Sequence, residues 1–145
     1  MKKFAIKRDD EALDKLIAAA QLQPLMSNAK WVKLLAALVA SWPLVRQCRV
    51  KLIWEDAGVE RYLLIDEHDS YNIDYYASAM ESMISGRPHL GGWCAYKEIE
   101  WLEFQRVVGD ETQDLAAIQR VIEAVGQFRL VLTADSLRLV AYLRP

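Results

Sequence analysis

A chain of 145 residues with 53% hydrophobic content is about one domain long and can bury enough surface to fold without disulfides or a structural metal. Two cysteines are too few for a disulfide-stapled secreted scaffold, and a sequence pI of about 5.7 argues against a nucleic-acid binder, which needs a basic surface. The formal charge of −2 conceals polarity: residues 55–114 carry fourteen acidic side chains against four basic, whereas residues 1–54 carry ten basic against four acidic. Clustered like charge repels itself unless it is met by partners inside the chain, a bound cation or a basic surface on another molecule.

The N-terminus begins with lysines like a signal peptide, but Asp9, Asp10 and Glu11 interrupt it before any apolar stretch develops. The longest apolar helical run, 31–42, contains Lys33 and is too short to span a bilayer. A cytoplasmic protein with two reduced thiols and no membrane segment is expected.

In chain order, Asp9 or Asp10 can cap a helix with Leu13, Leu16, Ile17 and Ala20 on one face, ended by Pro24. Asn28 is the expected cap of a second helix, striped by Trp31, Leu34, Leu35, Leu38 and Val39 and stopped by Pro43. From Cys48 the period becomes two: Cys48, Val50, Leu52 and Trp54 alternate with Arg49 and Lys51. A turn at 55–58 and a returning strand over 59–65 complete a hairpin. A polar loop at 66–70, a short strand at 71–75 and a short helix bearing Tyr76, Met80, Met83 and Ile84 follow, the helix ending at Gly86. Residues 86–92 are a glycine- and proline-rich loop.

Alternation resumes over 96–104. It predicts Ile99 and Trp101 on one face and Glu98 and Glu100 side by side on the other. Asp110 with Gln113 resembles a capping box for a helix carrying Leu115, Ile118, Ile122 and Val125. A final hairpin turns at Ala134-Asp135. The expected fold is α+β: one domain with a mainly antiparallel sheet of about five strands and helices on one face. Residues 1–25 are expected to be a helical extension and residues 26–145 the domain.

No linear pattern names a reaction. His89 and Cys94 are the one close pair of soft ligands, separated by flexible glycines, and read as a surface loop rather than a zinc site. Asp66, Glu67, Asp69 and Asp74 lack the spacing of a calcium loop. Gly91-Gly92 precedes a strand pattern, not the helix that a phosphate loop requires. No metal or other cofactor is expected.

Protein binding is the better use of these residues. Asp66, Glu67, Asp69, Glu98 and Glu100 supply charge, and Tyr71, Tyr75 and Trp93 supply aromatic anchors, for a partner with a basic surface. On this reading Glu98→Lys with Glu100→Lys weakens a partner without unfolding the protein. Trp31, Trp54 and Trp101 fit apolar stripes and are expected in the core.

The runs 28–35 (Asn-Ala-Lys-Trp-Val-Lys-Leu-Leu) and 91–101 (Gly-Gly-Trp-Cys-Ala-Tyr-Lys-Glu-Ile-Glu-Trp) resemble an uncharacterised family of small bacterial domains with an N-terminal Lys-Trp helix and a Tyr-Lys-Glu-Ile-Glu-Trp strand. The resemblance implies one bacterial cytoplasmic domain over 26–145 and transfers no activity. The leading expectation is a non-enzymatic immunity or antitoxin protein that neutralises a basic effector toxin. The alternatives are a small hydrolase or metal-dependent enzyme built on Asp66, His68 and Asp69, with His89 as a further candidate, and a homo-oligomer or homodimer joined through an edge strand or the N-terminal helix.

Overall fold

The computed structural model describes residues 10–69, 71, 79–80, 84–87 and 94–145. Three helices, α1 (Asp10–Ala19), α2 (Asn28–Ala40) and α3 (Leu115–Val125), alternate with short strands. The strands are β1 (Gln23–Pro24), β2 (Arg49–Leu52), β3 (Glu60–Leu63), β4 (Ala79–Met80), β5 (Ile84–Arg87), β6 (Cys94–Ala95), β7 (Ile99–Gln105), β8 (Val107–Val108), β9 (Glu111–Thr112), β10 (Arg129–Leu132), β11 (Ser136–Val140) and β12 (Tyr142–Leu143). The main sheet has the order β10-β11-β7-β2-β3-β5 and is antiparallel throughout. The fold is α+β, as the alternating patterns predict.

Register divides the sheet into two unlike faces. Val50, Leu102 and Leu139 lie in one cross-strand row, and Phe104 pairs with Leu137 in the next. Against this apolar face pack Trp31, Leu34, Leu35 and Leu38 of α2 and Leu115, Ile118 and Ile122 of α3, all in one buried cluster. The alternate positions form the opposite face, where Arg49, Glu103 and Arg138 are direct neighbours.

One irregularity decides what that second face contains. Lys51 pairs with Trp101 and Leu52 with Ile99, so Glu100 is an extra residue in β7. Such a bulge breaks the alternation and sets two successive side chains on the same side. Trp101 is buried, as its spacing predicts, but on the opposite face of the sheet from Ile99 and outside the main apolar cluster. It lies on the charged face, under the guanidinium of Arg138 at 4.1 Å and that of Arg49 at 5.7 Å, an attraction between cations and the ring's negative face.

Residues 10–25 are not an appendage. Leu13 and Leu22 belong to the same core as the helices and sheet, β1 pairs with β12, and Lys97 Nζ lies 2.8 Å from Asp14 Oδ1. The core thus crosses the boundary expected at residue 25. The predicted helix near Met80 and Ile84 is also corrected, since Ala79–Met80 and Ile84–Arg87 are strands. Pairing of Ile84–Arg87 with β3 overrides a periodicity carried by only a few apolar residues. The expected strand at 71–75 lies outside the described residues apart from Tyr71, which is not in a strand.

The two runs 28–35 and 94–101 meet in space: the rings of Trp31 and Tyr96 stack 6.1 Å apart and 6° from parallel. Among the described residues no helix is long and apolar enough to cross a membrane.

Candidate functional site

Part of the acidic middle of the chain is matched from within: Glu55, Glu100, Glu103 and Glu111 each meet a lysine or arginine. Glu100 accepts hydrogen bonds from Lys51 Nζ at 2.6 Å and from Arg144 at 2.7 and 2.8 Å. Glu103 accepts two from Arg138 and lies 3.6 Å from Arg49. Glu98 sits in a 3₁₀ turn, Tyr96–Glu98, with its carboxylate accepting from the backbone N–H of Ala95 and from Trp54 Nε1. Glu98 and Glu100 are 1% and 6% exposed, so neither stands on a free surface, contrary to the expectation that they face a partner. The turn and the bulge separate them, whereas an unbroken strand would have aligned them.

Burial by itself raises the Glu100 carboxyl, but hydrogen bonds from Arg144 and Lys51, with their charges, outweigh it and hold the group below its ordinary value. A depressed folded pKa means that the stabilisation is complete above the unfolded value, about 4.3, and is lost as pH falls through the lower folded value. Urea unfolding of the wild type and of Glu100→Gln, followed from neutral to strongly acid pH, should show the wild-type advantage shrinking below about pH 4.3. An advantage independent of pH would contradict this assignment.

Of the other residues expected to bind a partner, Tyr71 is buried, its hydroxyl donating to the Leu64 carbonyl, and so offers no free anchor. Tyr75 and Trp93 lie outside the described residues, as does His89. Asp66, Glu67 and Asp69 are brought together. Asp66 Oδ1 accepts from the Glu67 N–H, and the Asp66 carbonyl accepts from the Asp69 N–H, closing a tight turn after β3.

This turn forms one wall of a cleft of about 490 Å³, lined by Val45, Arg46, Gln47 and Cys48 on one side and by residues from Tyr62 to Asp66, with Asp69, on the other. Pro43 ends α2 in a 3₁₀ turn, Trp42–Leu44, and the chain then crosses to β2. Gln113 fixes that crossing: its Oε1 accepts from Arg46 N at 2.8 Å and Gln47 N at 3.2 Å, and its Nε2 donates to the Gln105 carbonyl. The opposite wall is tied by Leu63 N–H donating to the Cys48 carbonyl and by the Tyr71 hydroxyl.

Gln113 is therefore not the capping-box residue its spacing predicts. Asp114 caps α3 instead, accepting from Ala117 N. Gln113→Ala strands two backbone donors and a carbonyl, and the expected cost is about 1–3 kcal/mol. Faster amide exchange at Arg46 and Gln47, with a lower urea midpoint, would report it; unchanged exchange there would argue that the clamp is dispensable.

The cleft's chemistry is set by two carboxylates. Among the described residues Asp69 Oδ2 is buried with no hydrogen-bond partner, a costly state for a carboxylate oxygen. Asp66 is exposed at the same opening. Arg46 does not neutralise them at close range, since its Nε is held 3.3 Å from Glu111. Cys48 contributes no nucleophile: desolvation pushes its thiol well up, which keeps it protonated. His68 is 88% exposed with Nε2 3.8 Å from Glu67, and it is not among the residues lining the cleft. Among the described residues no three His, Cys, Asp or Glu side chains are grouped closely enough to hold a metal ion.

Fold and site together define a single α+β domain with an acidic cleft between the α2–β2 crossing and the turn after β3. No protein-family model matches the chain, and comparison with curated proteins and with solved structures gives no match either. The sequence signal for the acidic wall was the 66–69 run itself; Gln113 and the 45–48 wall carried none, because their roles depend on contacts more than sixty residues away.

Proposed function

We propose that this protein is a non-enzymatic protein-binding module, of the immunity or antitoxin kind, whose acidic cleft receives a lysine or arginine side chain from a basic partner. The observation that carries this reading is the cleft that Asp66 and Asp69 line together, at which Asp69 Oδ2 is buried and, among the described residues, has no hydrogen-bond partner. A cationic donor would supply the missing hydrogen bond, and the exposed Asp66 and Glu67 at the rim would steer its approach. Two carboxylates without a third ligand suit an ammonium or guanidinium better than a metal ion. The hydrolase alternative has less support, because the His68 ring points toward Glu67 and solvent rather than to Asp66 and Asp69.

Calorimetry with an oligoarginine peptide tests the cleft directly. The wild type should bind, more weakly as salt rises, and Asp66→Asn with Asp69→Asn should lower affinity more than about tenfold with no loss of thermal stability. Equal binding by both forms at every salt concentration would remove the cleft from consideration.

A further inference from the structure

Among the described residues the main sheet ends at β10, and this edge has the character of a strand awaiting a partner. Thr133 N–H donates to the Ser136 carbonyl at the turn, and β10 pairs with β11 without interruption from Arg129 to Leu132. Antiparallel pairing alternates, so Arg129, Val131 and Thr133 direct their backbone groups toward β11, and Leu130 and Leu132 direct theirs outward. Val131 and Leu132 are 46% and 50% exposed. Apart from its short length and the exposed Arg129, the strand carries no lysine, proline or bulge to blunt its edge against another chain.

We propose that β10 pairs antiparallel with β10 of a second copy of this chain about a two-fold axis at Val131, continuing the sheet across both protomers. This inference is independent of the cleft. The strand is its own complement in that register. Leu130 of one protomer faces Leu132 of the other, so all four outward backbone groups of each strand find partners. Val131 meets Val131 across the axis, and Arg129 meets Thr133 rather than another arginine. Both exposed apolar side chains become cross-strand pairs, and no like charges are opposed. An isologous contact of this kind closes at the dimer. So short a ladder buries less than a standard interface, which makes the dimer weak and concentration-dependent.

Val131→Cys provides the sharpest test. Residues facing each other in a non-hydrogen-bonded antiparallel pair have Cβ atoms about 4.5 Å apart, close to disulfide range, and the native Cys48 and Cys94 are buried. With diamide as oxidant, Val131→Cys should form a covalent dimer on a non-reducing gel far faster than Arg129→Cys, an exposed position displaced from the axis. Light scattering on the wild type should show mass rising with concentration. Val131→Lys, which places two ammonium groups at the axis, should abolish that rise without changing its thermal melt. Monomeric mass for the wild type at every concentration, equal crosslinking at 131 and 129, or a Val131→Lys variant that still dimerises would each overturn the proposal.

Discussion

A chain carrying Glu98→Lys and Glu100→Lys together is expected not to fold at neutral pH. At position 98 the change puts a buried ammonium where a carboxylate accepts from Trp54 Nε1 and the Ala95 N–H, so both donors lose this acceptor and face a cation instead. At position 100 it sets a third cation between Lys51 and Arg144. A buried charge left uncompensated costs about 3–5 kcal/mol. The Glu100 share falls at the lower end because Arg144 is 45% exposed and solvent screens it. Two such losses approach the whole stability of a domain, about 5–15 kcal/mol. Circular dichroism should show loss of the cooperative transition, whereas Asp66→Lys with Glu67→Lys, both at exposed positions, should melt like the wild type. A folded Glu98→Lys, Glu100→Lys protein would mean that the internal pairing is not what holds these carboxylates.

Glu55→Ala is the next largest effect. The Glu55 carboxylate lies against Arg61, accepting from Nε at 3.1 Å on each oxygen and from Nη2 at 2.6 Å. Arg61 is 1% exposed, and register places it opposite Val50, on the side of the sheet that faces the helices. Its guanidinium cannot retreat to water, and it does not lose its proton. Removing Glu55 should therefore cost about 3–5 kcal/mol in urea unfolding. Replacing both partners by apolar side chains of similar size, Arg61→Met with Glu55→Leu, should recover much of that loss, because desolvation of the pair offsets most of its attraction. A loss below about 1 kcal/mol for Glu55→Ala would be the behaviour of a surface pair and would contradict the burial.

Much of the architecture is legible along the chain. The stripe from Trp31 to Val39 places α2, with the cap one residue earlier than expected, at Ser27. The alternation from Cys48 and the turn near Gly58 give β2 and β3, and the apolar alternation from residue 128 to residue 143 gives the β10–β11 hairpin. These features depend on neighbours a few residues away, where pattern is informative. The candidate site is legible in part: Asp66, Glu67 and Asp69 stand together, whereas Glu98, Glu100 and Tyr71 are internal. Charge along a chain does not say which carboxylates reach solvent. That depends on which cations fold against them, here from partners 49 and 44 positions away for Glu100.

By itself the sequence determined the α+β class, the apolar stripes of α2 and α3, the two principal hairpins and the concentration of acid at residues 66–69, because each is written in local period, turn chemistry or composition. Tertiary structure alone decided that Glu100 is an extra residue in β7, that Trp101 is consequently buried beneath arginines rather than against the helices, and that Asp69 lines a cleft while Glu98 is sealed. The reason is that a strand's side-chain direction is set by its pairing partner, so one inserted residue changes which face a side chain occupies without leaving a mark in the spacing.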